Sequence, residues 1–320
     1  MICAEPRKIA AGKPVSRSRL ARERARAAHA ALADCHLCAH HCGVNRLAGE
    51  PGLCHAGAEA RFFLAQTEVT DELELIPTFA VALSGCDLRC DFCITGAESW
   101  NPRAGNFFSA QAMATKAKGA LASGAKTVMI LGGEPTIHLP AALELVAALP
   151  DDAKLIWKTN AHGSAQAREL LDGMFNVWLA DFKFGNDVCA QRLAKVPDYT
   201  VVVRENLLWF AGQSGAERRA PARRVSAQRG SQRAGSETGA PVPSELIVRH
   251  LLMPGHLECC WKPVAEWLAE NLPGVKVNLR TGFWPAWHAM RHAELRGTVP
   301  AVETERAWEI AREHRLNLVP

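Results

Sequence analysis

From Phe79 onward, short apolar runs rich in Val, Ile and Leu alternate with helical stretches every 20 to 30 residues or so, and this alternation constrains the fold more than any other feature. The runs at Phe79–Ser84, Thr127–Leu131, Lys154–Thr159, Val177–Asp181, Leu246–Leu252 and Val275–Leu279 read as strands of a parallel sheet. Between them, Ser109–Ser123, Leu139–Leu149, Ala165–Asp172, Val188–Ala194 and Glu258–Asn271 read as helices bounded by Gly, Pro, Asp or Ser. The pattern predicts an α/β protein built as a partial (β/α)6 barrel of the TIM type. In such folds chemistry gathers at the C-terminal ends of the strands.

The segments outside that repeat have other compositions. Residues 1–34 form a basic tail and an Ala/Arg helix from Arg17 to Ala33 with few large apolar side chains, expected to bury little. Residues 35–78 open with a Cys/His/Gly knot, 79–300 hold the barrel, and 301–320 read as a C-terminal helix. Within the barrel, 211–244 is rich in Gly, Ser, Arg, Gln, Ala and Pro and is expected to be a disordered insertion, since it has too little apolar surface to offset ordering. The formal charge of +4 belongs to these appendages. Residues 1–30 and 211–240 carry 14 Lys or Arg against 4 Glu, and without them the body has 23 basic and 29 acidic residues. A nucleic-acid partner is therefore not expected. No apolar run approaches the roughly 20 residues that cross a bilayer, and no secretory h-region follows the basic N-terminus, so a cytoplasmic location without membrane association is expected.

Seven of the 11 cysteines sit at ligand-like spacings. Cys86, Cys90 and Cys93 lie directly after a predicted strand, with three and then two residues between them. A closed electron-transfer cluster or structural zinc wants a fourth ligand, and none stands nearby in sequence, whereas a cubane held by three thiolates keeps one iron open for a small molecule. One βα unit later, Gly132-Gly133-Glu134-Pro135 ends a strand in a turn where the lack of Cβ lets backbone approach a ligand. Asn160, Asp181 and Lys183 end the two following strands. Cys35, Cys38, Cys42 and Cys54 supply four thiols on a glycine-rich loop, enough to close a zinc site or a second iron-sulfur cluster, and the spacing does not choose between them. His36, His40, His41 and His55 could substitute as ligands but are read first as surface residues, and Cys3, Cys189, Cys259 and Cys260, lacking ligand-like spacing, as packing or incidental thiols.

The three-cysteine loop followed by Gly132–Pro135 resembles the radical S-adenosylmethionine superfamily. With the leading knot, it resembles the pyruvate formate-lyase activating enzyme-like group that carries an N-terminal cysteine motif. The resemblance implies that Cys86, Cys90 and Cys93 hold a [4Fe-4S] cluster and that Gly132, Gly133, Glu134 and Pro135, with Asn160, bind S-adenosylmethionine. It further implies that Asp181 and Lys183 act near the cofactor, and that His250, on a strand leading into Pro254-Gly255, is structural or catalytic. The implied activity is reductive cleavage to a 5′-deoxyadenosyl radical that abstracts hydrogen from a substrate, such as a glycine of a glycyl-radical enzyme. Flavodoxin or ferredoxin is the implied low-potential electron donor. Two alternatives are radical modification of another peptide or small molecule and, in a different class, a zinc-stapled nucleic-acid-binding protein. Ala39-His40 replaces the Pro-Arg common in relatives, and the added cysteines precede the cofactor loop rather than follow it.

Overall fold

Among the described residues, the apolar runs assemble into one nine-stranded sheet that does not close into a barrel. The computed structural model describes residues 15–69, 72–213 and 244–320, so the N-terminal tail, Cys3 and all but the ends of the expected 211–244 insertion lie outside the described residues. In chain order the regular elements are α1 (Arg17–Ala30), β1 (Arg61–Glu68), β2 (Thr78–Leu83), α2 (Gly96–Trp100), β3 (Asn106–Phe107), α3 (Ala110–Ala122), β4 (Thr127–Gly132) and α4 (Leu139–Ala148). They continue with β5 (Leu155–Thr159), α5 (Ala165–Leu171), β6 (Val177–Asp181), α6 (Asp187–Ala194), α7 (Tyr199–Gln213), β7 (Glu245–Leu251), α8 (Lys262–Asn271), β8 (Lys276–Arg280), α9 (Ala301–Glu313) and β9 (Asn317–Leu318).

The order across the sheet is β3-β1-β2-β4-β5-β6-β7-β8-β9. From β2 to β9 all neighbours are parallel, as helical crossovers require, while β1 pairs antiparallel with β2 and with β3. The expected strands are all present, and β1, β3 and β9 extend the sheet at its two edges. β2 is buried along its whole length, which is why it reads as a continuous apolar run.

Three expectations are corrected. The N-terminal helix does bury a face: Ala21, Ala25 and Ala28 form a stripe at helical spacing and pack against α4. Alanine makes a poor apolar signal but allows close helix approach, and Ser16 caps the start by accepting from the Arg19 amide. The helix expected at Glu258–Asn271 opens as a π-turn over Leu257–Trp261, closed by the Trp261 amide donating to His256 O at 3.2 Å. Pro263, which has no N–H to donate, follows directly in the first turn of α8. The C-terminal segment is helical only to Glu313, after which β9 pairs with β8.

Register aligns the strand ends. Leu83 pairs with Gly132, Thr159 with Ala180 and Asp181 with Arg249, so the loops after β2, β4, β5 and β6 open on one side of the sheet.

Candidate active site at the C-terminal strand ends

The loop from Gly85 to Thr95 leaves β2 and is pinned from outside before it presents its thiols. The amides of Arg89 and Asp91 donate to the carbonyls of Ala194 and Leu193 at the end of α6, at 3.0 and 2.9 Å. The Asp91 carboxylate takes Lys195 Nζ at 2.8 Å and His292 Nε2 at 2.7 Å. Between these anchors, Cys86 and Cys90 are buried and Cys93 is half-buried, all as free thiols. Burial pushes the Cys90 thiol up to about 12, with Lys183 opposing and Cys93 and Asp87 adding to the rise. Burial likewise holds Cys86 well above the ordinary thiol range, reinforced by Asp87, Cys90 and Glu134. Buried thiols crowded in this way ionise only when a cation takes the charge.

The carboxylates that face the thiols are already engaged. Asp87 accepts from His162 Nδ1 at 2.9 Å and from Asn160 Nδ2 at 2.7 Å, which keep it ionised against its burial. Glu134 accepts from Thr159 Oγ1 at 2.8 Å, the Asn160 amide at 2.7 Å and the Thr136 amide at 3.1 Å. Burial first, and then Asp87, push the Glu134 carboxyl up to about 7. Asp181 is paired with Lys183. The loop thus offers three thiols, with no uncommitted carboxylate among these to act as a fourth ligand, and that donor set fits a cubane with one open iron better than a closed zinc site.

The glycines of the second turn have a specific neighbour. A Cβ on Gly132 would lie 2.1 Å from Leu83 O, and one on Gly133 would lie 1.9 Å from Gly85 O. The backbone that approaches here is that of the thiol loop itself, tied by the Gly133 amide to Leu83 O and the Glu134 amide to Gly85 O, each 2.9 Å.

Asn160 stands beside the loop, its Nδ2 also 3.7 Å from Cys86 Sγ. On the other flank, burial works against the Lys183 ammonium, but Asp181 and then Cys90 outweigh it and raise its pKa. The Lys183 amide donates to Tyr199 Oη at 2.7 Å. Lys158, on β5, is lowered to about 8 by burial and by Arg249. His250 donates to Phe182 O at 2.7 Å and burial holds it neutral, with a pKa of about 4, so it braces the β6 loop.

The knot lies against this site. The Ala39 amide donates to His162 O and the Ser164 amide to Leu37 O, at 3.0 and 3.1 Å, and His40 Nε2 donates to Asp87 O at 3.0 Å. His40 is therefore a half-buried link, where the sequence reads a surface residue, and with Asp87 and His162 it forms a compact set whose closeness these hydrogen bonds account for. Arg46 is buried inside the knot, with Nε donating to Ala56 O at 3.0 Å, Nη1 to Ile137 O at 2.8 Å and Nη2 to Gly57 O at 2.6 Å. Its Nη1 also lies 3.6 Å from Cys35 Sγ. Burial raises Cys38, with Asp87, Cys54 and Cys42 adding to the rise. Asp87 and His162 carry no motif, and spacing alone does not single them out.

Residues 81–205 match the model of the Radical SAM superfamily, and that superfamily uses a [4Fe-4S] cluster and S-adenosylmethionine. An uncharacterized protein of Methanocaldococcus jannaschii is 27% identical over 296 residues, which cover 89% of this chain and 76% of that one. Among solved structures, Streptococcus suis SuiB bound to the precursor peptide SuiA is similar with a TM-score of 0.49 and 16% identity, over 73% of this chain and 46% of SuiB. The chain thus spans about half the length of SuiB. A radical SAM methyltransferase from Sphaerobacter thermophilus gives a TM-score of 0.48 and 14% identity, over 75% of this chain and 65% of that one. A pyruvate-formate lyase-activating enzyme domain from Bacteroides vulgatus gives 0.41 and 16%, over 60% and 97%.

Proposed function

We propose that this chain cleaves S-adenosylmethionine reductively and abstracts hydrogen from a bound substrate, with Cys86, Cys90 and Cys93 holding a [4Fe-4S] cluster. The observation that carries the reading is the pinned three-thiol loop at the end of β2, whose facing carboxylates are all engaged by other groups. When bound, the cluster and S-adenosylmethionine supply a one-electron cleavage of the sulfonium to a 5′-deoxyadenosyl radical.

The chain's own residues prepare the site for that chemistry. Lys183 places a positive charge toward Cys90 and Cys93, offsetting thiolate charge in a buried setting, and Asp181 holds the ammonium there. Asn160 is oriented by Asp87 beside Cys86, and the Gly132–Pro135 turn presents backbone against the same loop, so both are assigned to the cofactor's methionine end. Tyr199 and His250 fix the β6 loop from behind through the Lys183 amide and the Phe182 carbonyl. The Asp181–Lys183 pair is the feature that supports an activating-enzyme type of substrate, a glycine of a glycyl-radical enzyme, with another peptide or a small molecule as the alternative. A flavodoxin or ferredoxin would supply the electron.

Anaerobic reconstitution with iron and sulfide, followed by assay of 5′-deoxyadenosine under a strong reductant, tests the reading. Wild type should form it and the Cys86/Cys90/Cys93 triple alanine variant should not. Equal formation by both proteins would remove the assignment.

A further inference from the structure

Cys189, Cys259 and Cys260, which sequence spacing leaves as incidental thiols, converge with His256 into one set, every ligand atom within 4.8 Å of every other. We propose that these four residues bind a single zinc-class divalent ion, separate from the three-thiol loop and from the knot. The proposal does not depend on the radical chemistry, because it rests on a different part of the chain.

Four of the six ligand–ligand distances match the edges of a tetrahedron, and the other two lie within 4.8 Å. With Zn–S of about 2.3 Å and Zn–N of about 2.0–2.1 Å, tetrahedral geometry gives edges of about 3.8 Å between sulfurs and about 3.5 Å between sulfur and nitrogen. The structure has Cys189 Sγ 3.8 Å from Cys259 Sγ, and Cys259 Sγ 3.9 Å from Cys260 Sγ. His256 Nδ1 stands 3.4 Å from Cys259 Sγ and 3.6 Å from Cys260 Sγ. All three cysteines are free thiols, and the sulfur separations are nearly twice a disulfide bond of about 2.05 Å. A cubane would hold its cysteine sulfurs farther apart than a single ion does, so the set is a mononuclear site. Four protein ligands of the Cys₃His type close the coordination shell, which makes the role structural.

The surroundings are those of a ligand set. The other nitrogen of His256, Nε2, faces the Arg192–Glu294 ion pair, with Arg192 Nη2 at 3.4 Å and Glu294 Oε1 at 3.7 Å. Asn186 donates through Nδ2 to Cys189 Sγ at 3.3 Å and to Cys259 O at 2.6 Å. The π-turn after β7 brings His256, Cys259 and Cys260 to one side, and such turns recur at functional positions. Across from it, Gly185 lies so close that a Cβ would fall 2.4 Å from Cys260 O, which lets the β6–α6 loop reach the turn.

The staple joins the β6–α6 loop to the β7–α8 loop. Cys189 sits in the first turn of α6, whose other end receives the backbone of Arg89 and Asp91, and the same loop carries Lys183. An ion at this position would therefore fix both the helix that anchors the three-thiol loop and the strand end that faces it.

The test is zinc stoichiometry by elemental analysis on full-length protein purified under reductant from zinc-supplemented medium. Wild type is compared with Cys259→Ser, Cys189→Ser and Cys259→His, and circular dichroism confirms folding. The expected result is one zinc fewer per chain in each serine variant and retention in Cys259→His, where imidazole replaces thiolate. Zinc bound elsewhere in the chain cancels in the difference. X-ray absorption at the zinc edge of wild type, expected to report sulfur and nitrogen shells, gives a reading that no variant's folding affects. Zinc content unchanged in the serine variants, a wild type without zinc, or a Cys189–Cys259 disulfide in the reduced preparation would each overturn the proposal.

Discussion

Gly133→Ala isolates the packing that joins the two halves of the site. The added Cβ would sit 1.9 Å from Gly85 O and 2.6 Å from Gly85 C, with Cys86 Cβ at 3.2 Å. An ordinary carbon–oxygen contact is about 3.3–3.6 Å, so backbone must move by about 1.4 Å or more. No flexible side chain can yield instead, because the obstacle is the peptide preceding Cys86. That movement breaks the bonds from the Gly133 amide to Leu83 O and from the Glu134 amide to Gly85 O. Two buried bonds lost at about 1–3 kcal/mol each give about 2–6 kcal/mol. At about 2 °C per kcal/mol, the lower end of the range for long chains, the metal-free protein should melt about 4–12 °C lower than wild type. Iron uptake should fall with it. Gly119→Ala is the control, because Gly119 lies in α3 with nothing within 4 Å of its would-be Cβ. There alanine should stabilise by about 0.5–1 kcal/mol. A Gly133→Ala protein that melts with wild type and takes up full iron would refute this account of the turn.

Lys183→Gln removes the charge facing Cys90 and Cys93 while keeping a polar side chain, and should lower 5′-deoxyadenosine formation at least tenfold with iron content retained; unchanged formation would separate Lys183 from the chemistry. Burial holds His138 neutral, with a pKa of about 3, while its Nε2 donates to Ser84 O at 2.9 Å. A histidine depressed on folding contributes stability that is present above its unfolded pKa of about 6.5 and is lost as pH falls toward the folded value. His138→Gln, which can keep the donor, should therefore narrow the difference in melting temperature between pH 7 and pH 5. Glu134, raised to about 7, acts with the opposite sign, its contribution lost as pH rises through that value, so the test is the change on mutation rather than the slope of wild type.

The parallel strands were legible because burial along most of their length makes them continuous apolar runs, as in Thr127–Gly132 and Val177–Asp181. β1 was not, because Arg61–Glu68 is an edge-side strand of mostly half-buried residues, and its mixed pattern matches neither template. Local spacing also exposed the cysteines within one loop, Cys86 to Cys93 and Cys35 to Cys54. It could not expose Cys189 with Cys259 and Cys260, which lie about 70 residues apart and meet only through the pairing of β6 with β7 and the π-turn. Spacing reads ligand sets that one loop supplies, and it fails on those that topology supplies.

The same distinction bears on the N-terminal extension. As a sequence, residues 35–78 read as an appendage placed before the barrel. In the fold, the Cys38 backbone bridges to Gly163, His40 reaches Asp87, and Arg46 reaches Ile137 just after the glycine turn. Asp87 is next to Cys86, and its two oxygens are taken by His162 and Asn160, both on the loop that the knot grips. A shift of the knot therefore moves His162, and with it the carboxylate that orients Asn160 beside Cys86. The knot is part of the wall of the site, and any metal or cluster it holds would act on the three-thiol loop through those hydrogen bonds as well as through space.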